Sequence, residues 1–167
     1  VVQCYYWSTL PPLLLAVEGR ITVAGRETSR EVPAAEFFRS HPRKRLSPGE
    51  IVTGVEIPVP PDPSAGSAGL RWGAAFLKFA KTHNDYGMVN ACAVVGVEDG
   101  GKGDAAGGAI REIRLALGAL DTLPVRCASA EAALTGKPFD EERAREACAA
   151  AVAEILSREL EKDAGDA

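Results

Sequence analysis

The stretch that most constrains the fold is a pair of apolar segments separated by a polar turn. Residues 76–86 read FLKFAKTHNDY, and residues 87–95 continue as GMVNACAVV. This pattern predicts a strand, a turn and a second strand, and the apolar flanks indicate that a core holds the turn in place. Lys78, Asp85 and Tyr86 are the candidate functional residues of this segment. A lysine, a carboxylate and a tyrosine at the end of a hairpin suit the edge of a site for an anionic, planar ligand.

The overall composition excludes several classes of protein. The chain is 46% hydrophobic and 25% charged, which is typical of a globular protein. Its net charge of −4 argues against a nucleic-acid-binding surface, and the short basic run at 41–45 is interpreted as a solvated loop. The apolar run at 13–17 falls far short of the roughly 18 residues that a membrane span needs. We therefore expect neither nucleic acid as a partner nor a membrane span.

The cysteines predict no metal centre. Cys4, Cys92, Cys127 and Cys148 are widely separated and form no C-x-x-C pair. We expect all four thiols to be reduced, with Cys92 and Cys148 acting as small apolar residues, and the compartment to be cytoplasmic. The sequence begins with Val-Val-Gln-Cys and shows no signal-peptide pattern at this end. We therefore expect the chain to be a piece of a longer protein.

Residues 1–59 alternate between short helices and strands. Two prolines introduce a helix at 13–17 that Gly19 ends, and a strand follows at 20–24. A second short helix at 32–38 carries two phenylalanines that must be buried. The strand at 50–59 ends in prolines, and its alternation places four apolar residues on one face: Ile51, Val55, Ile57 and Val59.

A linker at 60–69, rich in proline, glycine and serine, predicts a domain boundary. The domain beyond it, 70–160, contains three predicted strands and two predicted helices. The predicted strands span 72–81, 88–97 and 109–117. The first predicted helix spans 124–134, and the second begins at Asp140, which caps it. Residues 161–167 form the tail. The glycine-rich segment 99–108 is interpreted as a hairpin loop and not as a phosphate loop. The fold class is α+β, with a three-stranded antiparallel sheet covered by two or more helices.

Three groups of motifs, in this order, resemble the FAD-binding medium subunit of the molybdenum hydroxylases. That family includes xanthine dehydrogenase, carbon monoxide dehydrogenase and 4-hydroxybenzoyl-CoA reductase. The motifs are AEFF, LSPGEIV and VEIP within 35–58; FLK, DY and VNACAV within 76–94; and IRLALG, PVR, AEAAL and GK within 113–137. The resemblance runs from about residue 4 to residue 155. It implies that residues 1–59 are the end of an FAD-binding domain and that 70–160 form the C-terminal domain of the flavoprotein.

The resemblance also implies a function and a set of site residues. The subunit would pass electrons from iron–sulfur clusters through FAD to NAD or another acceptor, as part of an oxidoreductase. Molybdopterin and the 2Fe-2S clusters would belong to partner subunits, a large and a small one respectively. Five residues match positions near the flavin: Ile51, Val52, Lys78, Asp85 and Tyr86. Because the family's pyrophosphate-binding glycine loops precede the matching region, we expect this chain alone to bind FAD weakly at best, through the isoalloxazine end.

Alternatives remain open for individual residues and for the chain. Lys78 also fits an ordinary lysine at a strand edge, and Tyr86 fits a core tyrosine with its hydroxyl at the surface. We interpret His83 as a turn residue, and we expect Asp85 to cap the turn. Thr82 stands where the family usually has an arginine. A non-enzymatic interaction or assembly module that lacks FAD is the alternative function.

Overall fold

The computed structural model describes residues 1–59, 69–98 and 108–165, with side chains as far as residue 158. The predicted linker and the predicted glycine-rich loop therefore lie outside the described residues, except for Gly69 and Gly108. The described residues form two compact units. The first contains residues 1–59, 74–93 and 116–126, and the second contains 69–73, 94–98, 108–115 and 127–165.

The first unit contains a three-stranded antiparallel sheet in the order β2-β1-β3. Its elements follow the chain as α1 (Leu10–Ala16), β1 (Arg20–Ala24), β2 (Ser29–Pro33), α2 (Ala34–Phe37), a 3₁₀ turn (Pro42–Arg45) and β3 (Ile51–Glu56). Two prolines stand in the first turn of α1, where their missing N–H groups cost no helical hydrogen bond. The core is made by fully buried side chains from the helices and the central strand: Leu14, Ile21, Val23 and Phe37.

A second sheet has the strand order β4-β5-β6-β7. Its strands are β4 (Leu70–Phe79), β5 (Val89–Glu98), β6 (Ile110–Gly118) and β7 (Val125–Arg126), and the helices α3 (Ala128–Leu134) and α4 (Glu141–Gly165) follow. The Met88 N–H donates to the Phe79 carbonyl over 2.8 Å, where the predicted hairpin closes. The predicted α+β class is thus confirmed, and the three predicted strands are joined by a fourth that is only two residues long.

Two predicted helices begin later than the sequence indicates. Val32 belongs to β2, where it is buried and pairs with Ile21, so helix α2 starts only after Pro33. Val125 and Arg126 pair with Leu117 and Ala116 as strand β7. In both places, pairing with a neighbouring strand provides backbone hydrogen bonds, whereas the N–H groups of a first helical turn have no partner within the helix.

In the second unit, two carboxylates stabilise helix starts. Asp140 Oδ1 accepts from the Arg143 N–H over 2.8 Å, which confirms the predicted cap of α4. The start of α3 is capped by a residue far away in the sequence. Glu154 Oε2 accepts from the amide and the hydroxyl of Ser129 over 3.0 and 2.5 Å. Helix α4 continues to Gly165, past the position where the sequence predicts its end.

None of the four cysteines, all of which lie in the described part of the chain, forms a disulfide. Cys4, Cys92 and Cys127 are buried, whereas Cys148 is exposed on α4 and does not serve as the buried apolar residue that the sequence predicts. Among the helices that the structure describes, none is long and apolar enough to cross a membrane. The described residues also contain no group of three His, Cys, Asp or Glu side chains that could hold a metal ion.

Candidate functional site

Lys78 on β4 stabilises the turn between β4 and β5. Its Nζ donates to the carbonyl of His83 over 2.9 Å and to the carbonyl of Asp85 over 3.0 Å. Asp85 closes the same turn, since its Oδ2 accepts from the Thr82 N–H over 3.1 Å. The Asp85 N–H donates in return to the Thr82 carbonyl over 3.2 Å. The predicted roles of Asp85 as a turn cap and His83 as a turn residue agree with this geometry.

This turn forms one wall of a cleft of about 340 Å³. Lys78 and residues 85–87 line that wall, and residues 7–10 line the other. Both walls belong to the first unit. The cleft therefore brings together three of the five residues that the sequence predicts near a ligand: Lys78, Asp85 and Tyr86.

Aromatic rings cluster around Trp7, and two of them, those of Trp7 and Tyr86, line the cleft from its two walls. Trp7 stacks on Tyr5 with ring centroids 4.8 Å apart and an interplanar angle of 3°. Tyr6 meets Trp7 edge-on at 4.7 Å, and Tyr86 meets it at 4.9 Å with a tilt of 43°. Tyr86 is 73% exposed, which does not fit the alternative interpretation of this residue as a core tyrosine. Its ring is accessible to a planar ligand, which aromatic side chains bind in offset-stacked or edge-to-face arrangements.

Asn90 lies buried on β5, close to both walls of the cleft. Its Nδ2 donates to the carbonyls of Trp7 and Ser8 over 3.3 and 3.5 Å. Its Oδ1 is buried and has no hydrogen-bond partner among the described residues. Gly87 passes so near that a Cβ at this position would lie 2.4 Å from Oδ1.

Ile51 and Val52, the other two predicted site residues, lie on β3 and do not line this cleft. Ile51 is 63% exposed, and Val52 is half-buried and pairs with Val23 of β1. The apolar face predicted for this strand is exposed along its length, as Val59 illustrates with 87% of its surface accessible. The role of Ile51 and Val52 at a cofactor site therefore stays a prediction.

Sequence reasoning missed Trp7 and Asn90. The run of aromatic residues Tyr5-Tyr6-Trp7, shortly before the proline pair in the first turn of α1, is a signal that could have indicated the second wall. No local signal indicates Asn90, because its partners lie 82 and 83 positions earlier in the chain.

The residues of the cleft fit the ring end of a flavin but not its pyrophosphate. An ammonium group has three N–H donors, and Lys78 uses two of them on carbonyls, so one remains for a ligand. Trp7 and Tyr86 add aromatic surface. Among the described residues that line the cleft, Lys78 is the one cation, whereas a pyrophosphate is usually held by several amide N–H groups or positive charges.

Comparison with known proteins identifies two family regions in the chain. Residues 74–163 match the family described as the CO dehydrogenase flavoprotein C-terminal domain. Residues 3–60 match the FAD binding domain in molybdopterin dehydrogenase. The first match alone covers more than half of the chain.

The chain is also similar to individual proteins. It is 31% identical to the nicotine 6-hydroxylase medium subunit of Paenarthrobacter nicotinovorans over 88% of this chain and 45% of that protein. It is 32% identical to the 6-hydroxypseudooxynicotine dehydrogenase complex subunit alpha of the same organism, over 56% of this chain and 29% of that protein. The chain thus spans less than half the length of these curated relatives.

A solved structure shares the fold. A chain of the carbon monoxide dehydrogenase from Hydrogenophaga pseudoflava, in a form lacking the Mo-pyranopterin moiety of the molybdenum cofactor, matches with a TM-score of 0.73 and 28% identity. The match covers 91% of this chain and 47% of that one. The resemblance found in the sequence motifs is confirmed, and FAD is the cofactor that the matched family binds. The chain belongs to the family of FAD-binding medium subunits of the molybdenum hydroxylases.

Proposed function

We propose that this chain forms the flavin-ring side of the FAD site in an electron-transfer subunit of a molybdenum hydroxylase-type oxidoreductase. The subunit would take electrons from iron–sulfur clusters and pass them through the flavin to NAD or another acceptor. The observation that carries the proposal is the cleft itself. Lys78, Asp85 and Tyr86, the hairpin residues that the resemblance assigns to the flavin, line one cleft together with Trp7.

Lys78 would provide the charge in this site. FAD, when bound, supplies the redox chemistry, and the protein tunes its electronics through nearby charges and hydrogen bonds. The ammonium of Lys78 is fixed by the carbonyls of His83 and Asp85. A cation held in this way stabilises negative charge that develops on a nearby ring, and its remaining N–H can donate to a ring heteroatom.

Tyr86 and Trp7 would provide the surface for the ring. They lie 4.9 Å apart between centroids, and Tyr86 is largely exposed, so a flat ligand can reach its face. Burial of such aromatic surface excludes water and stabilises a planar ligand. Ile51 and Val52 would border the cofactor from β3, and the exposed side chain of Ile51 is free to do so.

The partners follow from the kind of protein that the chain resembles. The matched relatives are a medium subunit and a subunit of a dehydrogenase complex. We therefore propose a molybdopterin-binding large subunit and an iron–sulfur small subunit as partners. Four cysteines that form no disulfide among the described residues fit a reducing compartment, which supports a cytoplasmic location.

The experiment is a titration of the purified chain with FAD, followed by absorption and flavin emission. We expect FAD to bind, weakly, and ADP to compete poorly because the cleft suits the ring and not the pyrophosphate. Lys78→Met should weaken the binding of FAD, whereas Lys81→Met should not. Lys81 is the matched control, since it is an exposed lysine of the same turn that does not line the cleft.

Failure of the wild-type chain to bind or quench FAD, repeated with the polypeptide that the complete gene encodes, would refute this proposal. That outcome would favour the alternative, an interaction or assembly module derived from a flavin domain. The exposed apolar residues on β3 and after it, among them Ile51, Val55 and Ile57, would then be the surface to test for a protein partner.

A further inference from the structure

We propose that Asn90 is a positioning residue that fixes the aromatic wall of the cleft. It would act on the flavin only through Trp7 and Ser8, without contacting the cofactor. This effect on the flavin depends on the proposed function, whereas the effect on Trp7 does not.

The first observation is the pair of hydrogen bonds that Asn90 donates. The segment before α1 belongs to no helix or strand, so its carbonyls need donors from elsewhere. The Nδ2 group of Asn90 provides them to two successive carbonyls, those of Trp7 and Ser8, over 3.3 and 3.5 Å. Asn90 has no exposed surface, and burial of its Nδ2 group is costly unless that group donates hydrogen bonds. Its place on β5 ties the second wall of the cleft to the strand that follows the turn.

The second observation is the close approach of Gly87. An added Cβ would lie 2.4 Å from Asn90 Oδ1 and 3.0 Å from Nδ2. Gly87 itself lines the cleft, on the wall opposite Trp7 and Ser8. The carboxamide of Asn90 therefore touches both walls, since it packs against Gly87 and binds Trp7 and Ser8.

The third observation is the position of Trp7 within the aromatic cluster. Its ring contacts those of Tyr5, Tyr6 and Tyr86, at centroid distances of 4.7 to 4.9 Å. A displacement of the Trp7 backbone would consequently shift the ring surface that the cleft offers. The orientation of that surface relative to Lys78 depends on a residue that does not line the cleft.

The test uses Asn90→Leu, which keeps the approximate size of the side chain and removes its donors. Asn90→Ser serves as a second, smaller change in case the leucine variant does not fold. Asn84→Leu is the matched control, because Asn84 is exposed in the turn. Each variant is made in a Trp72→Phe background, which leaves Trp7 as the one tryptophan since the sequence has two, and again in a companion Trp7→Phe background, which leaves Trp72. Far-UV circular dichroism shows which variants fold.

Without FAD, we expect acrylamide to quench Trp7 about two-fold more strongly in the Asn90 variants than in the parent or the Asn84→Leu control, because the segment opens locally. The companion chain Trp7→Phe, which reports on Trp72, should show no change. Unchanged quenching of Trp7 in a folded Asn90 variant would overturn the proposal. Equal increases at Trp7 and Trp72 would also overturn it, since they would indicate general loosening.

With FAD at saturation, we expect bound flavin to be brighter in the Asn90 variants because the quenching rings have moved. Unchanged emission of bound flavin alongside a displaced Trp7 would overturn the effect on the cofactor site. Failure of the parent to bind FAD, repeated with the polypeptide that the complete gene encodes, would instead refute the proposed function and leave the result for Trp7 standing. The two failures are therefore distinguishable.

Discussion

Lys78 holds Asp85 by its backbone and not by its carboxylate. The Nζ of Lys78 lies 3.0 Å from the carbonyl oxygen of Asp85, while the Asp85 carboxylate accepts from the Thr82 N–H on the other side of the turn. In the described part of the chain, both recorded partners of the ammonium are therefore neutral carbonyls. The positive charge of Lys78 is fixed in place without being neutralised, so it can stabilise negative charge on a nearby ligand.

Removal of the Lys78 ammonium should loosen the turn as well as the cofactor site. We expect Lys78→Met to lower the free energy of unfolding by about 1 kcal/mol, because two hydrogen bonds to turn carbonyls are lost at an exposed position. Urea denaturation measures this change. Lys81→Met removes a charge from the same turn and should have little effect, and equal losses in the two variants would contradict the role of Lys78.

A methyl group at Gly87 should disturb the packing of Asn90 beside the cleft. We expect Gly87→Ala to cost about 1–3 kcal/mol in unfolding free energy, since its Cβ would overlap the buried carboxamide of Asn90. Gly73→Ala is the control, because a Cβ there meets no atom within 4 Å. Thermal or urea denaturation gives both values. A Gly87→Ala protein as stable as Gly73→Ala would show that the close approach does not exist in solution.

The cap that Glu154 provides to α3 should make stability depend on pH. Burial alone would raise the pKa of Glu154, but hydrogen bonds from Ser129 and the guanidinium of Arg158 outweigh burial and lower it. A carboxyl whose pKa is lower in the folded chain stabilises the fold above its ordinary value of 4.5 and loses that contribution as the pH falls through the lowered value.

We expect Glu154→Gln to cost about 1 kcal/mol at neutral pH and to flatten the loss of stability below pH 4.5. Urea midpoints measured from neutral to acidic pH provide the comparison. Glu146→Gln, at an exposed position of the same helix, is the control and should retain the parent profile. An identical acid profile in the Glu154 variant would disprove the cap.

The thiols should differ sharply in reactivity. Burial raises the pKa of Cys92 to about 11 and raises that of Cys4 as well, and Cys127 is also buried. Cys148 is exposed, so we expect a thiol reagent to modify one of the four cysteines quickly in the native chain and all four after unfolding. Cys148→Ser should abolish the fast phase. A fast phase that survives this change would place a second thiol at the surface.

The hairpin could be predicted from sequence because its signal is local. The predicted strands at 72–81 and 88–97 differ by at most two residues at each end from the observed β4 and β5. Apolar segments on both sides of a polar turn define such a unit without reference to the rest of the chain. The same reasoning found Lys78 and Asp85, since the turn and its cap lie within a few residues of each other.

The second wall of the cleft could not be predicted in this way. Trp7 joins the site through Asn90, which lies 83 positions away, and through the ring of Tyr86. Such long-range contacts leave no periodic pattern in the sequence. Strand β7 was missed for a related reason, because Val125 and Arg126 form too short a strand to show alternation and pair only by proximity to β6.

The most direct test of the proposed site is the effect of FAD on the emission of the two tryptophans. Trp7 lines the cleft and Trp72 does not, so single-tryptophan chains made by Trp72→Phe and Trp7→Phe report on them separately. If the cleft binds the flavin ring, FAD should quench Trp7 in a saturable manner and more strongly than Trp72, and ADP should quench neither. Equal, non-saturating quenching of both tryptophans by FAD would contradict a flavin site in this cleft.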